Sequence, residues 1–210
     1  MHPAGHICAS NPDRREVQLV SMEGQVKGHL RAKVSIGEEK FCPWGLACSA
    51  QGTVYVCDRA NHKIRVFNAS GAFVSSFGGR GKDVGKLDYP TGVAILGDSE
   101  IAVVDSNNNR VQVFTPEGAF IRSFGTEGSG LGELKGPADI SVDQNGYIAV
   151  SEMSNHRVQI FTPEGQPVVT FGHVGSEGGQ FSSPRGLVIS RDGNVVVCDT
   201  KNDRVQIFQR

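Results

Sequence analysis

Two heptads decide how this chain is read: Asn61-His62-Lys63-Ile64-Arg65-Val66-Phe67 and Asn155-His156-Arg157-Val158-Gln159-Ile160-Phe161. Asn108-Asn109-Arg110-Val111-Gln112-Val113-Phe114 falls midway between them, and Asn202-Asp203-Arg204-Val205-Gln206-Ile207-Phe208 follows one step later, so the step is 47 residues. Working outward from the heptads, Pro43, Pro90, Pro137 and Pro184 keep this period, and so do Asp58, Asp105, Glu152 and Asp199. Val20 carries the phenylalanine series one step back. Several independent series with one period mark an internal repeat, and a repeat decides architecture before any single motif does.

Within one unit the pattern is all β. In residues 137–172, Ile140-Ser141-Val142 ends at the turn Gln144-Asn145-Gly146, and Tyr147-Ile148-Ala149-Val150 follows as a second strand. The polar loop 151–156 leads to the alternating run 157–161, and the turn Thr162-Pro163-Glu164-Gly165 precedes a fourth strand, 167–171. Alternation of period two is the mark of a half-buried strand, and Gly, Asn and Pro supply the turn geometry. Four short antiparallel strands per unit of this length predict a β-propeller of four-stranded blades. Full units are expected at 41–86, 87–133 and 134–180, with a partial blade in 1–40 and a last unit, 181–210, that lacks its outer strand. That is eighteen strands, about four and a half blades. The first unit lacks an inner strand and the last an outer one, so the two ends do not complete one blade, and further sequence upstream is expected.

The unit reads P-x-G … D-x-x-N-H-R-V-Q-I-F … G … F-G, and Asn155–Phe161 and Asn61–Phe67 resemble the NHL repeat. The resemblance covers residues 7–210 and implies a six-bladed propeller of the kind that forms the C-terminal part of tripartite-motif (TRIM-NHL) ubiquitin ligases. It implies a recognition domain, not an enzyme. The RING that carries ligase activity in that family is not buildable from five scattered cysteines, so such activity would reside in upstream sequence. It also implies an ending after the third strand of the last blade, close to Arg210.

The acidic and basic series, Asp58 with Lys63, Asp105 with Arg110, Glu152 with Arg157 and Asp199 with Arg204, are expected to form a structural ion pair in every blade. No catalytic residue, metal site or cofactor is expected. His62 and His156 lie in separate units, whereas a metal needs three or four convergent ligands. Asp105-Ser106-Asn107 imitates the start of a calcium loop, but Arg110 stands where glycine is required and Pro116 where glutamate is.

The charges, 21 basic and 22 acidic, nearly cancel, so net charge predicts no avid nucleic-acid binding. Their placement is uneven. One face of the expected propeller collects Arg31, Lys33, Lys40, Arg59, Arg80, Lys82, Lys86, Lys135, Arg185 and Lys201, partly offset by Glu38, Glu39, Asp83 and Asp88. The other collects Glu23, Asp98, Glu100, Glu117, Asp143, Glu164 and Asp192 against Arg191. The residue between Pro and Gly in P-x-G, expected near the channel on the basic face, is Trp44, Thr91, Ala138 or Arg185. Asp139 replaces the glycine of this motif in the third unit, a departure from the family pattern.

The expected ligand-binding set is therefore Trp44, Arg59, Arg80, Lys82, Lys86, Tyr89, Arg185 and Lys201. One occupant is a protein partner or ubiquitination substrate. The alternative is single-stranded or hairpin RNA, with a base stacked on Trp44 or Tyr89 and the cations on phosphates. A remote alternative is an enzyme resembling the peptide-amidating lyases, which would need a central zinc and several histidines. No small-molecule substrate is expected. No apolar run approaches the length of a membrane span, and unpaired thiols fit a reducing compartment, so the expected location is the cytoplasm.

Overall fold

The computed structural model describes residues 5–32, 35–97 and 100–209; Lys33, Asp98 and Arg210 lie outside them. Among these residues eighteen strands form five separate antiparallel sheets. The first holds β1 (Ile7–Asn11), β2 (Glu16–Val20) and β3 (Val26–Leu30). The second holds β4 (Pro43–Cys48), β5 (Val54–Asp58), β6 (Lys63–Phe67) and β7 (Phe73–Gly78). The third holds β8 (Pro90–Leu96), β9 (Glu100–Asp105), β10 (Arg110–Phe114) and β11 (Phe120–Phe124). The fourth holds β12 (Pro137–Val142), β13 (Ile148–Glu152), β14 (Arg157–Phe161) and β15 (Pro167–Phe171), and the fifth β16 (Pro184–Ile189), β17 (Val195–Asp199) and β18 (Arg204–Phe208). Each sheet is a meander in chain order, and the first strands of successive units pack side by side, β4 on β8, β8 on β12 and β12 on β16. This is a β-propeller.

The core lies between blades, which explains which strands are apolar throughout. Val54-Tyr55-Val56-Cys57 and Ile148-Ala149-Val150 are buried at every position, because a sheet covers each face of their own. A two-sided strand reads as a continuous apolar run, whereas an outer strand such as β15 is largely open to solvent. The periodic phenylalanines join blade to blade. Phe77 of one outer strand packs on Phe114 of the next blade at 5.0 Å between ring centroids, and Phe124 on Phe161 (4.8 Å) and Phe171 on Phe208 (4.9 Å) repeat the contact. On the last sheet Val205 and Ile207 are 58% and 66% exposed, although their counterparts Val111, Val113 and Val158 are fully buried. The face that a following blade covers elsewhere is bare there.

In the third, fourth and fifth sheets the turn joining the second and third strands is held by a polar network that the repeat dictates. Asp105 is fully buried and takes Arg110 Nε at 2.7 Å, Asn108 Nδ2 at 2.9 Å and the Asp88 N–H at 2.6 Å. The Arg110 guanidinium also donates to the carbonyls of Asp83 and Lys86, tying down the connector from the preceding blade. Glu152 with Arg157 and Asp199 with Arg204 repeat the arrangement, with Nε to carboxylate distances of 2.6 and 2.8 Å.

The second sheet departs from it. Asp58 does not pair with Lys63: its carboxylate takes Arg65 Nε at 2.9 Å, while Lys63 and Arg65 Nη2 both bind Glu38. Arg65 occupies the slot held by Gln112, Gln159 and Gln206 in the other blades, and so reaches the buried carboxylate from the same strand face. Glu38, offered by the connector, then draws Lys63 away. Burial opposes the ionisation of Glu38, but the hydrogen bonds from Lys63, Arg65 and the Ser35 N–H outweigh it and lower its pKa to about 2.

Candidate functional site

The inner strand of each of the second to fifth sheets carries a break in register near its start: between Pro43 and Leu46, Pro90 and Val93, Pro137 and Asp139, and Pro184 and Leu187. A bulge re-aims the side chain at the break. Here it turns Trp44, Thr91, Ala138 and Arg185 to one cavity of about 270 Å³ at the mouth of the central channel, completed by Gly45, Asp139, Met153 and Gly186. The glycine of P-x-G is required by close approach of neighbouring inner strands. A Cβ on Gly45 would lie 2.3 Å from the Thr91 carbonyl oxygen, and one on Gly92 2.9 Å from Asp139 Cα.

Asp139 stands where the other units have this glycine, and the fourth sheet still forms with all four strands. Its carboxylate projects between β12 and β16 and accepts the Leu187 N–H at 3.2 Å. Burial pushes its pKa up to about 6, against hydrogen bonds from the Ile140 and Leu187 N–H groups that lower it. Ser151 Oγ beneath it takes the Asp139 N–H and donates to the Arg185 carbonyl, which ties the two inner strands together. Thr91 is only 8% exposed, and its hydroxyl has no hydrogen-bond partner among the described residues.

Trp44, Arg59 and Tyr89 form one cluster at the edge of the cavity. The Arg59 guanidinium carbon lies 3.8 Å from the Trp44 ring centroid and 4.3 Å from that of Tyr89, and Arg59 also donates to the Tyr89 hydroxyl. Both aromatics remain 37% exposed. In this structure the Arg59 cation itself stacks on both rings, as a weakly hydrated planar guanidinium favours. Of the remaining expected contacts, Arg185 lines the cavity, whereas Arg80, Lys82 and Lys86 lie exposed on the connector ahead of β8 and Lys201 on a 3-10 turn after β17. Arg80, Lys82, Lys86 and Lys201 do not line the cavity that holds Trp44.

His62 and His156 do not converge. Each adopts a left-handed backbone and sets Nδ1 at 3.0–3.1 Å from a backbone nitrogen of the next blade, Tyr89 and Ser183 respectively. Among the described residues no group of three or more His, Cys, Asp or Glu could hold a metal ion. Sequence reasoning missed Met153 and the role of Asp139. The second was signalled by an acid in a glycine slot.

Comparison with known proteins agrees with this architecture. A family described as a 6-bladed beta-propeller matches residues 82–170, and the NHL repeat matches residues 42–67 and 181–208. The chain is a β-propeller that carries NHL-repeat sequence in its second and fifth sheets. Over 50 residues it is 42% identical to the RING finger protein nhl-1 of Caenorhabditis elegans, a stretch that is 24% of this chain and 5% of that protein. Among solved structures, virginiamycin B lyase from Staphylococcus aureus with quinupristin superposes with a TM-score of 0.70 at 16% identity, over 98% of this chain and 67% of that one. A streptogramin B lyase gives 0.71 at 14% identity, over 98% and 65%. At such identities the likeness is one of fold. The matches cover about two thirds of the length of these structures and a twentieth of the worm protein.

Proposed function

We propose that this chain is a non-catalytic recognition domain of a TRIM-NHL-like ubiquitin ligase and binds a protein partner or substrate at the channel mouth. The observation that carries the reading is the contrast within the repeat: the loop network recurs, while four chemically different side chains occupy the one slot that faces the cavity. An exposed tryptophan stacked with an arginine, beside a second arginine, has the composition of a binding hot spot. The similarity to a RING finger protein supports the ligase context. In this reading the domain works in the cytoplasm with its thiols reduced, holds no cofactor and takes no small-molecule substrate. No helix of the described residues is long and apolar enough to cross a membrane.

A second reading, an RNA-binding post-transcriptional regulator, is favoured by the exposed Arg80, Lys82, Lys86, Arg185 and Lys201 on the same face. Fluorescence anisotropy with an acidic peptide and with a uridine-rich RNA separates the two. Wild type and a Trp44→Ala, Arg59→Ala, Arg185→Ala variant are compared at two salt concentrations. Peptide binding lost in the variant supports protein recognition. Tight RNA binding that falls steeply with salt would transfer the face to RNA.

A further inference from the structure

The channel-mouth cavity has opposite charges at its rim and floor. Arg185 lines it and the Trp44–Arg59 stack stands at its edge, whereas the Asp139 carboxylate lies deeper, where the mouth meets the channel between the inner strands. Among the described residues the hydrogen bonds to that carboxylate come from backbone N–H groups, and no ion pair includes it. Beside it the Thr91 hydroxyl is buried and unpartnered. An enclosed carboxylate without a counter-charge and a buried hydroxyl without a partner both cost stability until a ligand supplies what they lack. The lacking group is a compact cation that donates hydrogen bonds.

Size and shape narrow the choice. The cavity lies at the small end of ligand pockets, which suits one side chain better than a cofactor. Trp44, Ala138 and Met153 offer apolar wall to a straight alkyl stem. Asp139 already spends acceptor capacity on Leu187, which disfavours the two-pronged approach of a guanidinium and suits the point charge of an ammonium. The basic rim would repel an extended run of lysines and attracts carboxylates.

Resting on the recognition reading above, we propose that the cavity receives a single lysine side chain from an acidic segment of the partner protein, its ammonium on Asp139 and Thr91 and its flanking carboxylates on the arginine rim. Asp139, and not the basic rim, then sets specificity.

The test is fluorescence anisotropy on the 210-residue chain with two labelled peptides, Glu-Asp-Gly-Lys-Gly-Asp-Glu and the same sequence with norleucine for lysine. Wild type is expected to bind the lysine peptide about tenfold more tightly, the scale of one charge-assisted hydrogen bond. Asp139→Asn and Asp139→Gly should bring the two peptides to equal affinity; the second restores the residue type of Gly45, Gly92 and Gly186, so its blade is expected to form. Equal affinity in wild type overturns the lysine pocket while leaving recognition of acidic segments by this face intact. A preference that survives both Asp139 variants also overturns it. Failure of both peptides to bind overturns the pocket and the protein-recognition reading together.

Discussion

The turn network and the channel mouth are built from the same repeat, a few residues apart, and behave oppositely. At the turns, Asp105, Glu152 and Asp199 each meet an arginine five residues on, an asparagine three on and a glutamine seven on, with nearly the same distances. At the mouth, one repeat position is filled by tryptophan, threonine, alanine and arginine. Every blade needs its connector fixed and its buried carboxylate satisfied, so that chemistry recurs. Nothing in the packing of a blade demands a particular side chain at the mouth. The second sheet sharpens the contrast, because its network changes partners, Arg65 for the usual arginine and Glu38 for a backbone carbonyl, and still closes.

The comparison breaks first if the network can be removed cheaply. Arg110→Ala leaves Asp105 buried without its cation and should cost about 3–5 kcal/mol in urea denaturation. A smaller effect is expected from pH. The native pKa of Asp139, about 6, lies above its ordinary value, so the folded state holds this proton more tightly than the unfolded one. Its contribution to stability therefore falls as pH rises from about 4 to 6, by about 2–3 kcal/mol. Measured against Asp139→Gly, wild type should gain stability on acidification from pH 6.5 to 4.5. Glu38, held at about 2, acts the other way, and its support is lost only as pH drops from about 4.5 towards 2. Gly92→Ala presses a methyl against Asp139 Cα and should cost about 1–3 kcal/mol, seen as a lower Tm. Smallest of all, Arg185→Ala should change stability by under about 0.5 kcal/mol while weakening peptide binding.

Much of this was legible in the sequence, for reasons that can be named. The 47-residue period is visible because every blade solves the same packing problem, and Phe67, Phe114 and Phe161 mark the solution. The convergence of Trp44, Thr91, Ala138 and Arg185 follows from the period alone. The pairing of Asp58 with Lys63 was misread because spacing along the chain does not say which cation on the strand reaches the carboxylate. Arg65, two residues further and on the same face, wins, and Glu38 from a distant connector captures the lysine. The stacking of Arg59 on Trp44 and Tyr89 joins two blades and has no signature in either. Asp139 was visible only as a broken motif; its enclosed, unpaired carboxylate is a property of two inner strands brought together.

The variable mouth, and not the turns of the opposite face, is the surface expected to meet the partner. Mapping amide shift changes by NMR as the acidic lysine peptide is titrated into the chain tests it most directly. The expected changes centre on Trp44, Thr91, Ala138, Asp139 and Arg185, including the indole N–H. Changes centred instead on the turns at 115–118, 143–146 and 162–165, with the mouth silent, would contradict it.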